Sequence, residues 1–261
     1  MLSMMKALAY YLRGSLMMLA FVFVFVLCCS VEAVAIWMHF NVSWFAELGI
    51  VVGVHDGVSS LAVWGSSFVA GSFLAMVNAV LMGSVTADLF KHGYVKNLIQ
   101  AKGGRVTLAL SLAAWCVLCA LVSTLVGVAV TELGTRLAGC SPALPSLADF
   151  LQWFIQVVLC VSAYSVLTVL VVLLVKNEAI GLVAALFLGG GAVESLLQML
   201  LANIPGLAPV LRDCLDGYLA VDLGMLGSGV VCDPLSYVQS IGTIAVATAL
   251  CVVVARKRSF A

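Results

Sequence analysis

Apolar residues run almost unbroken through six stretches of this 261-residue chain, at about 15–38, 64–86, 106–131, 150–175, 179–201 and 239–255. A helix needs about 20 mainly apolar residues to cross the hydrocarbon of a bilayer, and each stretch approaches or exceeds that length. The runs are rich in Leu, Ala and Val. They lack the alternation over about 10 residues that marks a strand of a membrane barrel. The pattern therefore predicts an all-α integral membrane protein, a single transmembrane domain over 1–261 with six transmembrane helices.

The polar interruptions are unequal. Residues 87–105 form a long one, while "KNE" at 176–178 leaves room only for a tight turn. The 202–238 loop is too apolar for a free tail and is expected to pack on the membrane surface or dip into it. The leading "MLSMMKALAYYLRG", 1–14, is too short to span. It reads either as an interfacial helix with Lys6 and Arg13 near anionic headgroups or as a continuation of the first span.

Composition agrees. The chain is 64% apolar and 9% charged, with a mean hydropathy of +1.22, whereas a soluble domain carries about 25% charged residues. Net charge is zero, so placement carries the information. With the N-terminus in the cytoplasm, Lys6, Arg13, Lys91, Lys96, Lys102, Arg105, Lys176, Arg256, Lys257 and Arg258 all fall inside, and only Arg136 and Arg212 fall outside. This positive-inside bias predicts a multi-pass protein of the cell membrane with both termini cytoplasmic. All five prolines fall in outer loops, in keeping with turn chemistry outside the hydrocarbon. "AVA" at 33–35 has the form of a signal-cleavage site, but the apolar run before it exceeds the usual 7–15 residues, so the first helix is expected to be retained.

Few residues suggest chemistry. "C-x-x-C" at 116–119 lies inside an apolar run with no partner pair, and reads as two small helix residues rather than a redox or zinc site. No H-E-x-x-H, G-x-S-x-G or paired intramembrane Asp motif occurs, and the expectation is a protein that is not an enzyme and holds no metal. Small residues recur at every fourth position of the second span, at Ser67, Gly71, Ala75, Ala79 and Gly83. They form a stripe that permits close helix packing, within the chain or against a second copy, with Asn78 beside it as a cross-helix hydrogen-bonding group. Glu194, three residues after "GGG" at 189–191, is a carboxylate at membrane depth. Such a group faces protein or water; it is either a site for a cationic substrate or a hydrogen-bonded structural group. Cys214 and Cys232 share the outer loop and are expected to form a disulfide, with Cys140 as the competing partner.

The segment 87–105 holds Lys91, Lys96, Lys102 and Arg105, a third of the chain's cations. Within it, "DLFKHGYVKNLI" sets Leu89, Phe90, Tyr94, Val95, Leu98 and Ile99 beside Lys91, His92, Lys96 and Asn97 at a spacing that suits a short amphipathic helix. An anchoring loop has no need of an apolar face. Such a face must be buried against headgroups, the protein itself or a cytosolic partner.

Here the chain resembles the permease subunits of type-2 ATP-binding-cassette (ABC) exporters. Those have six helices, an acid ending the second, a short cytoplasmic helix of the form G-T-x-K-x-[LI]-[LI], and an Arg entering the third. Asp88 matches the acid, Gly93, Tyr94, Lys96, Asn97, Leu98 and Ile99 lie in the short-helix motif, and Arg105 matches the Arg. Tyr94 stands where Thr is usual, and "GG" at 103–104 replaces a Pro-containing turn. "LLVKNEAIGLVAAL" at 173–186 and the terminal "ARKRSFA" resemble the family's inner turn and basic end. The resemblance implies that 93–99 is a coupling helix seated in a groove of a separate ABC ATPase subunit. It also implies a second permease, as homo- or heterodimer, within membrane lipid. No G-x-x-x-x-G-K-[ST] phosphate loop occurs, so ATP and Mg would reside on the partner, and no cofactor or nucleic acid is expected on this chain. The alternatives are a secondary transporter with Glu194 or Glu32 as an ion-coupling group, or a non-transporting immunity or sensor protein.

Overall fold

A computed structural model describes residues 2–42, 57–91, 104–202 and 218–257. Its long helices follow the apolar runs, two further helices lie outside them in 2–14 and 219–227, and among the described residues strand pairing is limited to one bridge between Ser59 and Ala143. The elements are α1 (Leu2–Gly14), α2 (Leu16–Asn41), α3 (Ser60–Trp64), α4 (Phe73–Lys91), α5 (Gly104–Leu137), α6 (Leu147–Val175), α7 (Glu178–Gly189), α8 (Ala192–Ala202), α9 (Leu219–Gly227) and α10 (Leu235–Lys257). Among the described residues, five helices are long and apolar enough to cross a membrane: α2, the α3–α4 unit, α5, α6 and α10.

The most buried of these is α6, and α4, α10, α5 and α7 pack around it. Its interior face carries Trp153, Val157, Val161, Tyr164, Val169 and Val172, all at most 1% exposed. Ser146 caps its first turn by accepting from the Asp149 amide at 3.1 Å, which satisfies one of the amides that a helix start leaves without a partner. At the other end Lys176 takes a left-handed conformation (φ 56°) and Asn177 caps α7 by accepting from the Ala179 amide at 2.9 Å. This αL residue and Asn cap turn "KNE" through a reversal in three residues.

Two expected spans differ from straight helices. The second, expected over 64–86, extends from Ser60 to Lys91 but is broken in the middle by a π-helical turn at Gly65–Val69 and a 3-10 turn at Ala70–Ser72. Gly71 and Ser72 have φ of 62° and 58°, a left-handed pair no α-helix accommodates. Gly71 takes this conformation without steric cost. A Cβ on Gly71 would meet nothing within 4 Å. The small-residue stripe is therefore discontinuous: Gly71 turns the backbone, while Ala75 and Ala79 are fully buried and Gly83 faces Thr168 of α6.

The expected fifth span, 179–201, is two helices. The 12 residues of α7 rise about 18 Å, short of the hydrocarbon thickness of about 30 Å. The chain turns at Gly190–Gly191, with Gly191 at φ 72°, before α8 begins.

The break in the second span lies against residues 218–233, the outer segment of the expected topology. α9 packs against the 65–72 turns and against α6. A Cβ on Gly65 would lie 2.5 Å from the Leu226 carbonyl oxygen and 2.6 Å from that of Gly227, and one on Gly227 would lie 2.9 Å from Ala70 Cα. Backbone meets backbone here, and no side chain fits between. Over 218–233 the apolar 202–238 loop packs on the protein itself, where the expectation was the membrane surface.

Gly65→Ala is expected to lower the melting temperature in detergent, through about 1–3 kcal/mol of overpacking. Gly242→Ala in α10, where a Cβ meets nothing within 4 Å, is expected to leave it unchanged or raise it slightly, and thermal unfolding of both variants checks the pair.

Candidate functional site

Two regions gather the residues singled out by sequence. One is where the outer segment meets α6 and α8. Glu194 lies in the first turn of α8 and is 7% exposed. The Tyr164 hydroxyl of α6 donates to its Oε1, and the Ala220 amide of α9 donates to its Oε2 at 2.7 Å. The carboxylate therefore joins three helices, and each oxygen has a donor. Buried carboxylates require such partners, because an unpaired one is costly in low dielectric.

The same face of α6 holds the rest of the outer segment. The Trp153 indole N–H donates to the Leu226 carbonyl at 2.9 Å. Gln156 makes a reciprocal pair with the backbone of Cys232: its Nε2 donates to the carbonyl at 2.8 Å, and its Oε1 accepts from the amide at 3.0 Å. One side-chain amide thus replaces a strand or helix partner for an otherwise unsatisfied loop residue. The Tyr218 hydroxyl lies 2.7 Å from Thr243 Oγ1 of α10.

Asp222 of α9 is 5% exposed. Burial lifts its carboxyl above the ordinary 3.8, and the nearby Asp233 charge acts in the same direction, while Ser236 and Cys232 oppose it. The Cys232 thiol is pushed up to about 12, first by burial and then by the Asp222 charge. A thiol so raised is no nucleophile at neutral pH. Its Sγ lies 3.5 Å from the Asp222 carbonyl. Cys214, its expected disulfide partner, lies outside the described residues. Cys140, the competing partner, is buried beside Ile36 and Val63.

Asn78 lies in α4 and is fully buried. Its Nδ2 donates to Ser123 Oγ of α5 at 3.0 Å and to the Leu74 carbonyl at 2.9 Å, and Ser123 Oγ lies 3.2 Å from Asn78 Oδ1. It joins α4 to α5 within the chain. Ser67 lies 3.1 Å from Thr131 Oγ1 of α5. On α5 itself Glu132 binds both the Trp64 indole, at 3.1 Å, and Arg136 Nε, at 2.6 Å.

The second region is the opposite end of the bundle. Asp88 sits in the last turn of α4, with Leu89 fully buried beside it. Lys91 Nζ lies 3.3 Å from Glu178 Oε2 at the start of α7. The pair is largely exposed and contributes little to stability, but it ties the end of α4 to the "KNE" turn. Arg105 opens α5. Gly93, Tyr94, Lys96, Asn97, Leu98 and Ile99 lie outside the described residues.

Sequence reading found Glu194 and Asn78 but not their partners. Tyr164 and Gln156 were the available signal, as hydrogen-bonding side chains inside an apolar run. Asp222 passed as an ordinary outer acid. Among the described residues no group of three or more His, Cys, Asp or Glu side chains could hold a metal ion. No protein-family model and no curated protein matches this chain.

Two outcomes follow. Tyr164→Phe leaves one buried Glu194 oxygen without a donor and is expected to cost about 1–3 kcal/mol, read as a lower melting temperature, with Glu194→Gln milder because Gln still accepts from Ala220. For Asp222 the folded carboxyl titrates above the unfolded one. Its contribution is complete below pH 3.8 and is lost as pH rises through the raised value. Asp222→Asn is expected to flatten that upper decline in a pH series of melting temperatures.

Proposed function

We propose that this chain is the permease subunit of an ATP-driven ABC exporter, working with a separate ATPase subunit and a second permease in a cell membrane. In this reading α7 and α8 together make the fifth of six crossings, both termini are cytoplasmic, and residues 93–99 form the coupling helix. The reading rests on one observation. The acid–amphipathic segment–Arg pattern of Asp88, 93–99 and Arg105 lies at the end of a largely buried helix, α4, that packs most extensively on α6 and α7.

The mechanics follow from packing. α4 leads from the 65–72 break to Lys91 and contacts α6 and α7 most extensively. A push on 93–99, as the ATPase pair closes on ATP, reaches α4 directly and reaches α7 through Lys91 and Glu178. Because cores are close-packed and resist continuous deformation, such a push moves these helices as units. The ATPase would carry ATP and Mg, and the substrate is unspecified. Glu194 has a holding role here rather than a cargo-binding one, since both its oxygens are occupied by Tyr164 and Ala220. The same occupancy counts against an ion-coupling role for it in a secondary transporter.

Purification from native membranes tests the proposal. An ABC ATPase subunit is expected to co-purify with the chain and to be lost on Tyr94→Asp or Leu98→Asp, with the variants still inserted at normal levels. Transport that runs on an ion gradient without ATP, or a chain that carries no ATPase, would overturn it.

A further inference from the structure

α1 is an amphipathic helix seated beneath the bundle. Met4, Leu8 and Leu12, one turn apart, are at most 4% exposed and join the core with Leu108, Leu112 and Cys116 of α5. The opposite side presents Lys6, Tyr10 and Arg13, spaced by four and three residues. That spacing aligns them in one row along the helix. All three are exposed, Tyr10 by 81%. No described acidic residue pairs with Lys6 or Arg13.

Directly over α1 lies a groove between α2 and α5, with a volume of about 260 Å³ and walls that include Met18, Phe21, Phe25, Trp115, Leu118 and Val122. Its surface is almost wholly apolar. The Ser123 hydroxyl in its wall is already engaged by Asn78. The Trp115 indole N–H donates to the Met5 carbonyl of α1 at 3.4 Å, which fixes the groove's lower end against the basic helix. From Trp115 to Val126 the groove follows α5 for about 16 Å. That equals the hydrocarbon depth of one leaflet, half of about 30 Å.

We propose that this groove and the Lys6–Tyr10–Arg13 row form a binding site for one acidic phospholipid of the leaflet on the N-terminal side. An acyl chain fills the groove along α5, and the anionic headgroup lies against Lys6 and Arg13, with Tyr10 at the interface where amphipathic rings reside. Charge complementarity selects the headgroup, and length selects a chain from a single leaflet. The site is independent of the exporter reading.

Native mass spectrometry of the full chain, exchanged into mixed micelles of phosphatidylglycerol and phosphatidylcholine, tests it. One phosphatidylglycerol adduct is expected to survive where phosphatidylcholine is lost. Lys6→Glu with Arg13→Glu, both on the exposed face, is expected to lower its retention about 25-fold, each cation near an anionic surface contributing about a factor of five. Val122→Trp, which fills the groove without touching the cations, is expected to lower retention of either lipid. Equal retention of the two lipids, retention unchanged in both variants, or occupation of the groove by a second copy of the chain would overturn the site. A melting temperature within a few degrees of the parent certifies each variant as folded. Should the double charge reversal not fold, Lys6→Gln with Arg13→Gln provides the same comparison.

Discussion

The structure depends on a contact between two stretches of backbone. Gly65 of the second span and Leu226–Gly227 of α9 approach so closely that no side chain would fit at Gly65. That approach explains the interrupted helix. A continuous α-helix through 60–91 would not form the notch that receives α9, so the helix passes through a π turn and a left-handed Gly71–Ser72 pair instead. The left-handed serine carries a cost of about 1–2 kcal/mol, which the seated outer segment has to offset.

It does so through polar groups in an apolar setting. Trp153, Gln156 and Tyr164 lie on one face of α6, spaced by three and by eight residues. Each serves the outer segment or its neighbour: the Leu226 carbonyl, the Cys232 backbone and Glu194. At membrane depth a backbone group without a partner is costly, so a non-helical segment persists only where such side chains meet it. The outer segment is therefore part of the bundle's core rather than a connecting loop. α6 is its platform, with the long, uninterrupted α5 beside it.

This architecture divides what sequence could reveal. Five of the six expected spans are long apolar helices among the described residues; these were legible because a bilayer demands long apolar runs and little else produces them. The αL–Asn turn at 176–177 was legible as a tight reversal for the same reason: three residues admit few geometries. The break at 65–72 was not, since "WGSSFVAGSF" is apolar and small enough to pass for a packing stripe. Tertiary contact with α9, remote in sequence, imposes it. Likewise the cost of burying Glu194 was readable, but its partners Tyr164 and Ala220 are 30 and 26 residues away, and no local pattern links them. The proposed coupling role of 93–99 rests on resemblance alone, as those residues lie outside the described residues.

Amide hydrogen exchange over 218–233 tests the seated outer segment most directly. The account predicts slow exchange at Ala220 and Cys232, whose N–H groups are held by Glu194 and Gln156, and selective acceleration of Cys232 on Gln156→Leu while the amides of α6 stay protected. Exchange across the whole segment at the rate of a free loop, in the unaltered protein, would contradict it.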